Sequence, residues 1–341
     1  MTSNASYPVT HVPARDVPVP TSLSEQAQAL LAMGVSKPQS ELPPADDLEA
    51  WRALVAERDA MVTEAALGIV GTSVTGAVET GVGTKSADID VDGVIVYVAR
   101  PDGLSPDDRR VFLLLHGGAF IQGGGAACRH GGAAMAGAIG ATVWSVDYRM
   151  PPDHPHPAPL DDCLTVYRRL LQDHRPQEIA VGGISAGANL TAALILRARD
   201  EGLPLPAAAV VMTPPTDLTR GGDTIQTNDG VDTQLVEDLE PLVLLYTGAH
   251  DLRDPYLSPL FGDFSQGFSP TILFTGTRDR LLSDTVRLHR KLRAADIPAD
   301  LHVFEAAPHG FFLGMAPEDH ERVREIRRFL DEHWAKAGVS L

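Results

Sequence analysis

Lysine is scarce in this chain: Lys37, Lys85, Lys291 and Lys336 are the only four among 28 basic residues, which face 45 acidic ones. The formal charge of −17 excludes the basic face that nucleic-acid phosphates require. A field of that sign also repels anionic substrates. Cysteine is nearly missing. Cys128 and Cys163 alone do not make a disulfide framework, so a reducing cytoplasm is the expected setting. No run reaches the roughly eighteen apolar residues of a membrane span. The opening "MTSNASYPVTHVPARDVPVPTS" has no basic region followed by an apolar one, so neither a secretory signal nor a membrane partner is expected. Internal repeats and low-complexity tracts are also lacking. What is present is 341 residues with 44% hydrophobic and 21% charged character, enough for one large globular domain with an accessory lobe.

The chain changes texture along its length. Residues 1–75 read as helical: Ser22-Leu-Ser-Glu25 has the form of a capping box, Leu23, Ala27, Leu30 and Leu31 share a face, and Gly34 ends the run. A second amphipathic stretch places Leu48, Trp51, Val55 and Val62 on one side. From about residue 76, "GAVETGVG", "ADIDV" and "VIVYVARP" alternate like antiparallel strands. Compact apolar runs then alternate with helical patterns, at 111–115, 141–148, 178–184, 207–213, 271–276 and 301–306. Buried runs separated by helices predict an α/β fold, a mostly parallel sheet covered on both faces. The interval between "VVMTP" and "TILFTG" is too long for a simple crossover and holds an amphipathic segment from Asp232 to Tyr246. The expected division is therefore 1–75 and 214–257 as two parts of a helical cap, with 76–213 and 258–341 as the catalytic body.

The chemistry starts at "EIAVGGISAGANL". Ser185 lies in Gly183-Ile184-Ser185-Ala186-Gly187, a G-x-S-x-G sequence between a strand-like run and a helix-like one. That context turns a glycine-rich turn into a nucleophile elbow, because side chains at the flanking positions would clash in so sharp a turn. A serine hydroxyl needs a base, and the base an orienting acid. In this strand-helix order both follow the serine on loops after later strands. His289 falls in a helical pattern, His302 inside the last strand, and His320 and His333 in the charged C-terminal helix. Only His309, in "EAAPHGFF", occupies a loop at a strand's carboxyl end. Two carboxylates follow the preceding strand. Asp279 sits directly after it, whereas Asp284 follows Ser283, a candidate N-cap, and suits first-turn helix electrostatics. Position favours Asp279. Donors for a tetrahedral oxyanion are offered by Gly117, Gly118 and Ala119 in "LLLHGGAF" and by the N–H of Ala186. Asp147, Tyr148, Arg149 and Asp162 are expected to hold a loop in place, Cys163 to lie on a helix face, and His154 and His156 find no third partner for a metal.

The blocks "HGGAF", "VDYRMPPDHPHPAPLDD", "GGISAGANL", "DPYLSPL", "TGTRDRLLSD" and "PHGF" resemble, in order, those of the hormone-sensitive-lipase-like branch of the α/β-hydrolases, the bacterial carboxylesterases with an HGGG motif. The resemblance implies the α/β-hydrolase fold with a helical cap and ester hydrolysis without cofactor or metal. It further implies Ser185 as nucleophile, His309 as base, Asp279 as acid, and an oxyanion hole from Gly118, Ala119 and Ala186. Ala119 stands where the family usually has a third glycine, and Ile184 where it usually has Asp or Thr. The expected substrate is a small, uncharged ester. An amidase, lactonase, aryl-ester or carbamate hydrolase on the same triad shares every one of these features. A non-catalytic receptor of the same fold is opposed by the presence of His309. The edge segment "LHVFEA" offers a pairing surface for a homodimer.

Overall fold

The computed structural model describes residues 10, 13–14, 16–35, 42–68 and 82–336, with the side chains of the stretch 42–68 described as far as residue 61. Two helices, α1 (Glu25–Ala32) and α2 (Leu48–Gly68), precede the sheet. Then come β1 (Thr84–Val91), β2 (Val94–Pro101), β3 (Val111–Leu115), α3 (Gly125–Ile139), β4 (Thr142–Asp147), α4 (Ala158–Asp173), β5 (Ile179–Ile184) and α5 (Ala186–Asp200). The chain continues through β6 (Ala208–Met212), the short α6 (Thr224–Thr227), α7 (Leu239–Thr247), β7 (Thr271–Gly276), α8 (Leu282–Ala294), β8 (Ala299–Phe304) and α9 (Pro317–Lys336).

The strands form one sheet in the order β1-β2-β4-β3-β5-β6-β7-β8. The β1-β2 hairpin and the β2-β4 pair are antiparallel, and every other pair is parallel. Asp92 and Gly93 turn the hairpin, both at positive φ (52° and 88°), the conformation that a two-residue primed turn demands. Alternation sorts the central strands between two cores. Phe112, Leu114, Val210, Met212 and Phe274 join the layer of α3 and α9, while Leu113, Leu115 and Val181 join that of α4 and α5. Because the central strands run parallel, β5, β7 and β8 all end at one edge of the sheet, where such folds bind their ligands.

The N-terminal helices divide their docking. Leu23, Ala27 and Leu31 bury with Phe329, Leu330 and Trp334 of α9, so α1 belongs to the body. Trp51 and Leu54 of α2 pack with Leu242 and Leu245 of α7 and with Ile121. Several local expectations need correcting. The N-cap of α1 is Ser24, whose Oγ accepts from Ala27 N, two residues beyond the Ser22 box. Glu25 therefore falls in the first turn, and Glu318 of α9 instead accepts from Ser24 N and Oγ (2.8 and 2.7 Å). Among the described side chains of α2 the buried ones are Trp51, Leu54 and Arg58, while Leu48 is exposed. The Val62 side chain and residues 76–81 of the anticipated strand lie outside the described residues. The segment from Asp232 is helical only from Leu239, because the Asp232 carboxylate accepts the N–H groups of Gln234 and Leu235 in a turn. Among the described residues no helix is long and apolar enough to cross a membrane.

Candidate active site

Ser185 joins β5 to α5 with φ 54° and ψ −121°, a conformation that costs a non-glycine residue about 1–3 kcal/mol and persists only where its surroundings enforce it. The enforcement is visible. Ser185 N donates to Met212 O (2.9 Å). A Cβ on Gly187 would stand 1.9 Å from Leu115 O, and one on Gly183 2.4 Å from the same oxygen. Neither contact can be relieved by a rotamer change. Both glycines of the pentapeptide are thus set by the approach of β3 to the elbow, which also brings the loop after β3 against the start of α5.

His309 lies in the loop between β8 and α9, and its Nε2 is 2.9 Å from Ser185 Oγ. Its Nδ1 is 3.1 Å from Asp279 Oδ1. Asp279 is fully buried in the loop after β7, accepting from Leu281 N (2.9 Å) and Thr275 Oγ1 (2.7 Å). With the Nδ1 proton donated to the carboxylate, Nε2 is left to accept from the serine hydroxyl. Burial disfavours the charged imidazole of His309, but the hydrogen bond and charge of Asp279, with the charge of Asp232, outweigh it and raise its pKa above the ordinary histidine value.

The loop after β3 begins with His116, fully buried and stacked on Tyr148 (centroids 4.1 Å apart). Burial holds the His116 ring neutral, and Tyr148 OH donates to His116 O (2.7 Å). Gly118, at φ 111°, could carry no side chain, since a Cβ there would meet Gln122 O at 2.1 Å. Gly118 O accepts from Ile121 N and Gln122 N. Ala119 and Phe120 follow at φ 53° and 64°, so Gly117, Gly118 and Ala119 lie in a tightly coiled turn. The Ala119 methyl packs on the cluster of Trp51, Leu54, Ile121, Leu242 and Leu245. Ala186 opens α5, so its N–H has no partner within the helix and sits at the positive end of the helix dipole. Ile184, the other departure from the family pattern, is buried in the core beside Met212 and Phe274.

Asp284 lies in the first turn of α8, as expected, but the cap before it differs. The N-cap of α8 is Leu281, not Ser283, and Ser283 Oγ accepts from Thr224 N instead. Asp284 is 6% exposed and accepts from Asp217 N (2.9 Å), tying α8 to the connection after β6. Burial, together with the nearby Asp217 charge, raises its carboxyl to about 7. Arg149 and Asp162 form a bidentate pair, Asp147 accepts from Tyr97 OH and Gly125 N, and Cys163 is buried on α4. His156 packs edge-on against Tyr246 and His250, and burial chiefly lowers its pKa to about 4.

Three residues near this edge had escaped the sequence reading. Asn189, one turn into α5, donates to Pro215 O and Leu257 O (2.7 and 2.9 Å), clasping two distant points of the long β6-β7 connection. The Arg280 guanidinium donates to Ile225 O, Leu235 O and Glu237 O of that connection. Asp232 accepts from the N–H groups of His309 and Arg280. An asparagine one helical turn after G-x-S and a charged residue beside Asp279 were the available signals. Asp232 offered none, since the partners that tie it to the site, His309 N and Arg280 N, are main-chain groups far away in sequence.

The sequence profile of the α/β-hydrolase-fold family matches residues 112–313. The chain is 36% identical over 220 residues to an acetyl-hydrolase of Streptomyces hygroscopicus, covering 64% of this chain and 70% of that one. It superposes on the crystal structure of esterase E25 with a TM-score of 0.86 at 36% identity, over 95% of this chain and 99% of the other. A crystallised esterase from the bacterial hormone-sensitive lipase family superposes with a TM-score of 0.73 at 26% identity, over 91% and 99%.

Proposed function

This chain belongs to the α/β-hydrolase-fold family, in its hormone-sensitive-lipase-like carboxylesterase branch, and is a carboxylic ester hydrolase; from that premise we propose that it hydrolyses small, uncharged acyl esters through a Ser185–His309–Asp279 triad and an acyl-enzyme. The observation that carries this reading is the unbroken chain from Ser185 Oγ through His309 to the buried Asp279 carboxylate, with links of 2.9 and 3.1 Å. His309 takes the serine proton as Ser185 attacks the ester carbonyl. Asp279 holds the Nδ1–H tautomer and stabilises the imidazolium without itself being protonated. The N–H groups of Gly117, Gly118, Ala119 and Ala186 surround the oxyanion. His309 then protonates the departing alcohol and activates the water that releases the acid.

Size selection falls to the cluster over the coiled β3 loop. The Ala119 methyl, backed by Trp51, Leu242 and Leu245, narrows the approach to the oxyanion hole in a way that a third glycine would not. Each acyl methylene buried contributes about 0.8 kcal/mol, roughly fourfold in kcat/KM, until the chain meets a wall. The kcat/KM therefore peaks at acyl chains of about four to six carbons and falls steeply beyond about ten. A series of p-nitrophenyl esters, run with the parent and with Ser185→Ala, tests both parts. A parent that prefers emulsified long-chain triglycerides contradicts the size argument, and a Ser185→Ala variant within tenfold of the parent removes the nucleophile assignment.

A further inference from the structure

Asp232 lies in the β6-β7 connection and is 1% exposed. Its carboxylate accepts from His309 N through both oxygens (3.2 Å each) and from Arg280 N (3.0 Å). It also accepts from Gln234 N and Leu235 N within its own turn (2.9 and 3.1 Å). One buried carboxylate thereby joins the backbones of the two loops that carry His309 and Asp279. A buried charge is retained only where such donors compensate it, and here the donors come from the loops whose relative placement sets the triad. We propose that Asp232 is a positioning residue for His309, fixing both triad loops from the connection and placing a second negative charge near the imidazole.

The inference rests on the triad reading above. As His309 takes the Ser185 proton, the ring becomes a cation beside two carboxylates that otherwise repel one another. The attraction to Asp232 is therefore stronger in the transition state than in the resting enzyme, which is the condition for accelerating the chemical step. The charged groups facing this cluster are Asp279 and Arg280 from the loop after β7, His309 itself, and Asp229, 3.6 Å from the Arg280 guanidinium.

Asp232→Asn keeps the shape, removes the charge and turns an amide N–H₂ toward one of the donating N–H groups. With p-nitrophenyl butyrate as probe, kcat falls roughly ten- to a hundredfold, the scale of a small misplacement of reacting groups, while KM stays within about twofold. The acid limb of kcat/KM moves to lower pH, because His309 loses a charge that favours its protonation. Asp232→Glu restores the acid limb without restoring kcat, since the charge returns on a longer arm. A purely structural role lowers the melting temperature and leaves the limb in place. Asp232→Asn with parent kcat and an unmoved limb overturns the proposal. If Asp232→Asn does not accumulate as folded protein, Asp232→Glu decides alone, and parent-like kcat there overturns it equally. Ser185→Ala is run alongside. Loss of activity there with a parent-like Asp232→Asn refutes Asp232 only, whereas retained activity refutes the triad and this inference together.

Discussion

Replacing Asp279 by asparagine separates two effects that are usually lost together. Asp279 Oδ1 accepts from both Leu281 N and His309 Nδ1, while Oδ2 accepts from the Thr275 hydroxyl. Leu281 N–H can only donate, so it selects the amide oxygen for the Oδ1 position. The new N–H₂ then faces Thr275, whose hydroxyl can turn to accept. The Nδ1–H tautomer of His309 is consequently retained and the charge alone is lost. For charges about 4 Å apart at an effective dielectric constant near 20, that charge is worth about 4 kcal/mol, or roughly a thousandfold in kcat. The expected loss is about 10³, smaller than the roughly 10⁴ observed where the same change also misplaces the tautomer. The melting temperature should hold, and the acid limb of kcat/KM should shift to lower pH. Steady-state kinetics from pH 5 to 9 with a calorimetric melt provide the readout. A loss below tenfold would mean that Asp279 does not face the developing imidazolium.

Other expectations follow from single contacts. Trp51→Ala opens the cluster against Ala119, Leu242 and Leu245, so the ratio of kcat/KM for octanoyl over butyryl esters rises; an unchanged ratio removes α2 from the wall. Gly187→Ala would force a methyl to within 1.9 Å of Leu115 O, a backbone clash costing upwards of about 3 kcal/mol, read as failure to accumulate folded protein, and a variant as stable as the parent contradicts the elbow geometry. Burial raises Asp284 to about 7, so the folded state binds a proton there that the unfolded chain, near 3.8, releases. Parent stability relative to Asp284→Asn therefore rises as the pH falls from 8 to 5, and chemical denaturation at the two pH values checks the sign.

Legibility in the sequence followed the range of the interactions. The strands β3, β5, β6 and β7 could be read because parallel strands buried on both faces give unbroken apolar runs. Ser185 and Asp279 each follow such a run, and His309 follows the half-exposed edge strand β8, so locating the strand ends located them. The N-cap of α1 was misplaced by two residues because Glu318, distant in sequence, supplies the acid that Ser24 needs. Asp284 does lie in the first turn of α8 as its position suggests, but its burial was not legible, because its partner, Asp217 N, comes from another segment. The docking of α1 on α9 rather than over the connection depends on the Phe329, Leu330 and Trp334 face of a helix three hundred residues away. Asp232 was invisible as a site residue because only tertiary structure brings His309 N and Arg280 N to it.

The triad claim is tested most directly by stoichiometric labelling with a fluorophosphonate, followed by peptide mass mapping. One adduct per chain is expected, on Ser185, with activity lost in proportion to labelling and no adduct in His309→Ala on the same timescale. An adduct on another residue, or full activity in fully labelled protein, would contradict it.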